Sequence, residues 1–441
     1  MTGEEVKNLQ KQYVLQSWSK QRDLNPIPIA KAEGIYLYDF DGNRYTDMSA
    51  QLVNSNVGHG NKEIINAIKE QAEKYCYVAP SYASEPRAVL AKMIIDRMPD
   101  NMGKVFFTNA GADANENAIK MARLFTGRFK VFSRYRSYHG STFGAGNLTG
   151  EPRRYALEPS IPGFIHFFDP YVYREPIIKF ASEEEAASYY VAKLREQVLY
   201  EGPDTVAAIV METITGSNGI IIPPKGYLEG VRKICDEFGI IMICDEVMAG
   251  WYRTGKLFAF ENFGVKPDIV SFAKGVTCGY VQLGGCVVSK KIAGYFDDHL
   301  LSCGLTYSGH PLACAAGIAC LKYYDDANIA GNVNKVGRVL ADILLKLKEK
   351  HKSVGDVRFI GLFSSIELVK NKETKEPLVP YGKDPLGTMS KIVGSLKKKG
   401  FMTYSHENMI FVNPPLIITE EQLKEEMIKV DKVLDELDSS L

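Results

Sequence analysis

The feature that most constrains this chain is the alternation of apolar strands with amphipathic helices between residues 61 and 324. Each strand is a short apolar run, and a segment with helical periodicity separates it from the next. This alternation is typical of a mostly parallel sheet that is covered by helices on both faces. We therefore predict a large α/β domain over residues 61–325.

The segment before this domain has a different pattern. Residues 1–60 contain a helix-like stretch from Val6 to Lys20 and a hairpin signal, Asp-Gly, within Asp39–Asn43. We predict that they form an N-terminal arm and part of a small domain.

The chain after Asp325 changes pattern again. A long amphipathic helix is followed by a predicted strand from Phe359 to Val369, a second helix and a final strand–helix unit. The pattern indicates a smaller C-terminal α+β domain over residues 326–441.

Charge and cysteine content restrict the class of protein. The chain has 53 basic and 53 acidic residues, so no electrostatic signal for nucleic acid or a membrane surface exists. Its eight cysteines are scattered without a CxxC pair, which favours free thiols in a reducing cytoplasm. No apolar run is long enough to span a membrane, and the first residues are polar. We expect a cytoplasmic protein with a small-molecule ligand.

Ligands of open parallel sheets bind beyond the carboxyl ends of the strands. After the strand Lys104–Thr108, Gly111 and Ala112 open a helix whose backbone N–H groups could bind a phosphate. The alternative for this segment is an ordinary turn.

Two further strands end in carboxylates, Glu212 and Asp245. An Asp at the end of a wholly apolar strand is costly to bury without a cationic partner. The N–H of a pyridinium ring would be such a partner, and the carboxylate would keep the ring protonated as an electron sink. A helix cap or strand-end salt bridge is the alternative.

The strand Pro267–Ala273 delivers Lys274 to the same edge. Desolvation and nearby cations can lower the pKa of such a lysine and free its amine to attack a carbonyl. A solvated surface lysine is the alternative from position alone, and the neighbouring motifs decide between the two.

Other motifs carry less weight. Gly250–Leu257 imitates a phosphate-binding P-loop, but Leu257 stands where the magnesium-binding hydroxyl is needed. No dinucleotide fingerprint or close pair of metal-ligating histidines occurs, so nucleotide hydrolysis and metal catalysis have little support.

The whole chain resembles the class III (ω-amino acid) aminotransferases, which have the type I fold of pyridoxal-phosphate enzymes. The matching blocks occur in the family's order: Thr108–Ala118, Ser137–Gly140, Asp245–Val247 with Arg253–Gly255, Pro267–Gly275 and Thr306–Pro311. The resemblance implies a mostly parallel large domain with a smaller α+β domain, and pyridoxal 5'-phosphate as the cofactor.

The resemblance also implies roles for single residues. Lys274 would form a Schiff base with the cofactor and act as the catalytic base, while Asp245 would bind the pyridine nitrogen. Val247 and Tyr138 would cover the two faces of the ring.

Further residues would complete the cofactor site. The backbone of Gly111 and Ala112 would hold the phosphate, with His139 and Glu212 as additional cofactor-binding residues. Thr306 would reach the phosphate from the neighbouring subunit, which implies a homodimer with shared active sites, as a dimer or within a tetramer.

Departures from the family pattern concern the substrate. Phe411 stands in the block where an Arg commonly binds the 2-oxo acid carboxylate. Arg153 and Arg154 are candidates to replace it, and we expect Arg154 to bind an acid group of the substrate. Trp18 is similar to the family's substrate-lining aromatic residue. A surface arginine pair and a packing tryptophan are the alternatives.

The block Leu148–Arg154 resembles the branch of taurine:2-oxoglutarate and 3-aminobutanoyl-CoA aminotransferases. We therefore predict a transaminase that moves an amino group from an ω- or β-amino donor of one of these types to 2-oxoglutarate or pyruvate. The sequence does not separate these donors or acceptors. An aminomutase, racemase or decarboxylase of the same fold, and a non-enzymatic binding protein, are the alternatives.

Overall fold

A computed structural model describes all 441 residues of the chain. Its helices are α1 (Gly3–Tyr13), α2 (Ala50–Val53), α3 (Lys62–Lys74), α4 (Glu85–Ile95), α5 (Gly111–Thr126), α6 (Phe143–Leu148), α7 (Glu183–Glu201), α8 (Tyr227–Phe238), α9 (Lys290–Asp298), α10 (Pro311–Asp326), α11 (Ile329–Lys350), α12 (Thr388–Lys398) and α13 (Glu420–Asp438). Its strands are β1 (Ile29–Glu33), β2 (Tyr36–Asp39), β3 (Arg44–Asp47), β4 (Met102–Thr108), β5 (Lys130–Arg134), β6 (Phe164–Phe167), β7 (Val206–Glu212), β8 (Ile241–Asp245), β9 (Ile269–Phe272), β10 (Gly284–Ser289), β11 (Val354–Ile360), β12 (Phe363–Asn371), β13 (Glu376–Pro377), β14 (Phe401–Met402), β15 (Ser405–His406) and β16 (Met409–Phe411).

The central sheet has seven strands in the order β4-β10-β9-β8-β7-β5-β6. The five strands from β9 to β6 pair in parallel, and β10 runs antiparallel to both of its neighbours. All residues of β7 and β8 are buried, as expected for strands with helices on both faces. The prediction of a mostly parallel sheet is confirmed.

The pairing register brings the polar strand ends together. Glu212 pairs with Asp245, and Asp245 pairs with Ser271 on the next strand. Because these strands are parallel, their carboxyl ends open onto one edge of the sheet. The sheet therefore places the two carboxylates close to Lys274, which follows β9.

Two smaller sheets flank this core. One has the order β1-β2-β3-β14, so a C-terminal strand pairs in parallel with the N-terminal hairpin. The other has the order β11-β12-β16-β15, with β13 paired to β12. The N-terminal arm is thus joined to the C-terminal region by backbone hydrogen bonds, whereas the domain boundaries at residues 60 and 325 stay a prediction.

Two local predictions were wrong. The N-terminal helix ends at Tyr13, because the extended backbone of Val14 caps it, rather than continuing to Lys20. The strand predicted from Phe359 to Val369 is a hairpin of β11 and β12. Its turn contains Gly361 at φ 59°, and a Cβ there would lie 2.7 Å from the carbonyl oxygen of Arg253.

The largest cluster of buried apolar side chains extends from the central sheet to the C-terminal helices. It includes Phe132 of the central sheet, Leu344 of α11 and Leu434 of α13. None of the helices combines the length and the apolar character needed to cross a membrane.

Candidate active site

A cavity of about 1270 Å³ opens at the carboxyl edge of the central sheet. It is lined by most of the site residues predicted from the sequence: Trp18, Gly111, Ala112, Tyr138, His139, Glu212, Asp245, Val247 and Lys274. Three predicted residues, Arg154, Thr306 and Phe411, do not line it.

The start of α5 forms one end of the cavity. Ala110 is the N-cap residue of this helix, and its side chain cannot accept a hydrogen bond from the first-turn N–H groups. A Cβ on Gly111 would lie 2.8 Å from Val247 Cγ1, so the close approach requires glycine. Backbone donors at a helix N-terminus suit a phosphate, and phosphate binding by Gly111 and Ala112 stays a prediction.

Asp245 is 3% exposed and is held by three hydrogen bonds. Asn115 Nδ2 donates to Oδ2 at 2.7 Å, His139 Nδ1 lies 2.7 Å from the same oxygen, and the Val247 amide donates to Oδ1 at 3.0 Å. Because an ionised carboxylate only accepts, the His139 proton lies on Nδ1. This network fixes the Asp245 carboxylate at the cavity wall, where it could accept a hydrogen bond from the N–H of a pyridine ring.

Lys274 adopts a left-handed backbone conformation, with φ 45°, immediately after β9. Burial lowers the pKa of its amine and the charge of Arg153 adds to this effect, whereas Asp245 and Glu212 oppose it. A lowered pKa increases the fraction of neutral amine, the form that attacks a carbonyl.

Glu212 organises the loop that carries the predicted ring-stacking residue. Its Oε1 accepts from the Tyr138 amide at 3.0 Å, and its Oε2 accepts from the Gly216 amide at 2.6 Å. Burial raises the pKa of Glu212, and the hydrogen bonds from the Tyr138 and Gly216 amides oppose that rise. The carboxylate therefore fixes the backbone of Tyr138 at the cavity wall.

Arg153, and not Arg154, enters the cavity. The guanidinium carbon of Arg153 lies 3.8 Å from the Tyr138 ring centroid and 5.2 Å from that of Trp18. Arg154 instead donates to the Gly150 carbonyl at 3.1 Å and forms an ion pair with Glu158. It does not line the cavity. Both residues lie in the 3₁₀ turn Pro152–Leu157, where consecutive side chains point about 120° apart, so only one faces inward.

The other two residues outside the cavity are placed differently. Phe411 is fully buried and stacks on Tyr404 at 4.6 Å between centroids, so Tyr404 lines the cavity in its place. Thr306 is exposed, and its carbonyl accepts from the Tyr77 hydroxyl at 2.7 Å. A role for Thr306 in a neighbouring subunit's site stays a prediction.

Sequence reasoning missed several cavity residues. Asn115 lies on the buried face of α5, and a polar residue on such a face was the signal that could have indicated it. Gln51 and Leu52 line the cavity from α2, whose four residues all have positive φ between 45° and 67°. No sequence signal indicates that turn, because Ala-Gln-Leu-Val favours a right-handed conformation.

The donor set fits pyridoxal phosphate. Unpaired N–H groups lie at the α5 terminus, a buried carboxylate lies beside β8, and an amine with a lowered pKa lies beyond β9. His139 Nε2 is also a buried nitrogen with no partner in the chain. These groups could hold a phosphorylated pyridine aldehyde by its phosphate, ring nitrogen and carbonyl.

Comparison with known proteins agrees with this site. A family model described as Aminotransferase class-III matches residues 18–434. A taurine–pyruvate aminotransferase of Bilophila wadsworthia is 34% identical over 97% of this chain and 96% of its own length.

Solved structures show the same relationship. The taurine:2-oxoglutarate aminotransferase of Bifidobacterium kashiwanohense, in complex with PLP and glutamate, is 56% identical, with a TM-score of 0.98 over 100% of this chain and 99% of that one. An (S)-enantioselective omega-transaminase of Thermomicrobium roseum is 34% identical, with a TM-score of 0.93 over 99% of each chain.

Proposed function

The chain belongs to the class III aminotransferase family, and on that premise we propose that it is a pyridoxal-phosphate transaminase of acid-bearing ω-amino donors. The donor would be a short amine of the taurine type, and a 2-oxo acid would accept the amino group. The observation that carries this assignment is the cavity that joins Lys274, Asp245 and Arg153.

Bound pyridoxal phosphate supplies an aldehyde that condenses with amines and a ring that withdraws electrons. The backbone N–H groups at the start of α5 would hold its phosphate, and Asp245 would hold the proton of its ring nitrogen. Lys274 Nζ would take a proton from the substrate carbon and return it, because a lowered amine pKa suits a base at neutral pH.

Arg153 is the residue that we assign to the acid group of the donor. It is the only arginine in the cavity lining, and a guanidinium binds carboxylate or sulfonate with two parallel hydrogen bonds. Two of the similar proteins are named as taurine aminotransferases, and taurine is an amine that ends in a sulfonate. These names support a donor of this type.

A thioester donor of the 3-aminobutanoyl-CoA type is the second candidate. The buried Phe411, in the block where the family commonly has a carboxylate-binding Arg, favours it, because such a donor has no free carboxylate that needs a cation there. Such a donor has no free acid group for Arg153, which is the argument against it.

The experiment is a panel of taurine, β-alanine, 4-aminobutyrate and 3-aminobutanoyl-CoA, each assayed with pyruvate and with 2-oxoglutarate. We expect the highest kcat/KM for an acid-bearing amine and strict dependence on the 2-oxo acid. Product formation without an acceptor would contradict transamination and favour a mutase, racemase or decarboxylase.

We also propose that two copies of the chain form a homodimer and share their active sites. We place this dimer in the cytoplasm. Large apolar side chains that line the cavity are exposed in the single chain, with Leu52 at 65% and Trp18 at 63%, which supports a covering subunit. The eight free cysteines support a reducing compartment. Sedimentation velocity should give twice the chain mass; a monomer would contradict the shared site.

A further inference from the structure

The side chain of Arg153 is held in one orientation from several sides. Its Nε donates to Glu151 Oε1, and its Nη2 donates to Ser217 Oγ at 3.1 Å. The rings of Tyr138 and Trp18 contact the guanidinium plane. Nη1 donates to no group of the chain and Nη2 keeps a second N–H, so these two nitrogens form the edge that is left for a ligand.

Glu151 is a buried carboxylate, with a side chain that is 1% exposed. It precedes Pro152, and a residue before proline is restricted to the extended backbone that Glu151 adopts, with φ −84° and ψ 171°. From this restricted backbone the Glu151 side chain lines the cavity. Burial raises the pKa of Glu151, and the charge of Arg153 opposes that rise.

The other neighbour of this carboxylate is a histidine. His406 Nε2 lies 3.8 Å from Glu151 Oε2 and 3.2 Å from Asn218 Oδ1. Burial, with the charges of Arg153 and Arg136, lowers the pKa of His406 to about 4, so its ring is neutral at neutral pH. Arg153 is therefore the cation that Glu151 contacts.

We propose that Glu151 is a positioning residue: it occupies the Nε edge of Arg153 and thereby turns the Nη1 edge toward the acid group of the donor. The assignment rests on the proposed function and extends it, because it makes Glu151 a determinant of the preference for acid-bearing amines. Arginine has about 2 kcal/mol of rotamer entropy, and a fixed guanidinium loses less of it when a ligand binds.

Positioning and simple charge compensation predict opposite results. If Glu151 only reduced the positive charge of Arg153, its neutralisation would strengthen anion binding and lower KM. If Glu151 positions Arg153, the contact matters more than the charge. Two conservative variants separate these roles, since Glu151→Gln keeps the length and loses the charge, whereas Glu151→Asp keeps the charge and loses the reach.

The experiment measures KM and kcat of the holoenzyme for taurine and for an uncharged amine, isopropylamine. For Glu151→Asp we expect KM for taurine to rise by about 10-fold, because displacements of about 1 Å strongly weaken oriented contacts. For Glu151→Gln we expect KM for taurine to stay within about 3-fold, because Arg153 Nε still has an acceptor. Neither variant should change KM for isopropylamine.

Matched control variants come from the neighbouring ion pair, in which Arg154 Nη1 donates to Glu158 Oε1 at 3.1 Å outside the cavity. Glu158→Asp and Glu158→Gln should leave all constants unchanged. A lower KM for taurine in Glu151→Gln, an unchanged KM in Glu151→Asp, or equal increases for both amines would overturn the positioning role.

Failure of the proposed function gives a different result. In that case the wild-type enzyme itself would show no preference for taurine over isopropylamine, before any variant is compared. If the wild type has the preference and the Glu151 variants keep it, only the role of Glu151 is overturned.

Discussion

At the scale of single residues, the site depends on residues that are held in unusual backbone conformations. Lys274 has φ 45°, a conformation that costs a residue with a side chain about 1–3 kcal/mol. The hydrogen bond from the Cys278 amide to the Lys274 carbonyl, at 3.0 Å, helps to hold it there. The strained backbone lies where the chain turns from the buried strand β9 into the cavity.

We expect Lys274→Ala to abolish turnover and the visible absorbance of the lysine–cofactor Schiff base. The variant should stay folded, because the change removes the nucleophile and no core side chain. Absorbance spectra, circular dichroism and activity assays test this. Lys256→Ala changes an exposed lysine on a nearby loop and should behave as wild type; turnover retained by Lys274→Ala would refute the assignment.

The two adjacent arginines allow a matched comparison. Arg153→Ala should raise KM for taurine by about 10- to 100-fold, because a hydrogen bond to a charged group contributes about 1.5–3 kcal/mol. Arg154→Ala should leave KM unchanged, since its guanidinium pairs with Glu158 outside the cavity. Steady-state kinetics decide between them, and the reverse pattern would return the acid-binding role to Arg154.

At the scale of elements, α2 is a left-handed turn built from ordinary residues. Such a conformation costs about 1–2 kcal/mol per residue. The buried Asp47 stabilises it, because its Oδ1 accepts from the backbone N–H groups of Ser49 and Gln51, each at 3.2 Å. The turn presents Gln51 and Leu52 to the cavity, so local strain here serves the shape of the site.

Strand β15 carries His406, whose buried ring makes stability depend on pH. Its pKa is about 4 in the folded chain and near 6.5 when unfolded, so the unfolded state binds more protons between these values. The stabilisation is complete above pH 6.5 and is lost as the pH falls toward 4, by about 3 kcal/mol.

Denaturant unfolding at pH 7 and pH 5 measures this effect. In His406→Gln, the loss of stability between the two pH values should be smaller than in the wild type. His299→Gln alters an exposed histidine and should keep the wild-type loss. Equal losses in His406→Gln and the wild type would contradict the role of His406.

At the scale of the whole molecule, one buried arginine ties distant segments together. Arg253 Nη1 donates to the carbonyls of Leu362 and Pro414 at 3.0 and 2.6 Å, and Nη2 donates to Asn56 Oδ1 at 2.7 Å. Burial lowers its pKa to about 10, so it stays charged at neutral pH. Its partners come from the N-terminal and C-terminal parts of the chain, so Arg253 connects them to the large domain.

We expect Arg253→Met to lower the free energy of unfolding by about 3 kcal/mol or more, because it leaves several buried acceptors without a donor. Thermal unfolding of the holoenzyme measures the change. The control Arg44→Met alters an exposed arginine and should change stability by less than about 0.5 kcal/mol. An unchanged Tm in Arg253→Met would show that these contacts do not hold the parts together.

The sequence predicted most of the central sheet and the residues at its strand ends. Asp245 and Lys274 could be placed at the same edge of the sheet because each comes at the end of an apolar strand, and parallel strands bring such ends together. The hairpin of β11 and β12 was not predicted, because apolar residues flank its turn on both sides in the run 359–363 and only Gly361 interrupts them. Hydrophobic periodicity predicts whether a segment is a helix or a strand more reliably than it predicts the residues at which that segment begins and ends.

The sequence by itself determined the kind of fold, which follows from the order of strands and helices, and the cofactor, which follows from the motif blocks shared with the class III aminotransferases. Only the tertiary structure decided that Arg153 enters the cavity while Arg154 leaves it, that Phe411 is buried behind Tyr404, and that α2 turns left-handed. The physical reason is that side-chain direction and backbone handedness at these positions depend on contacts with segments distant in the chain, such as Glu151 with His406.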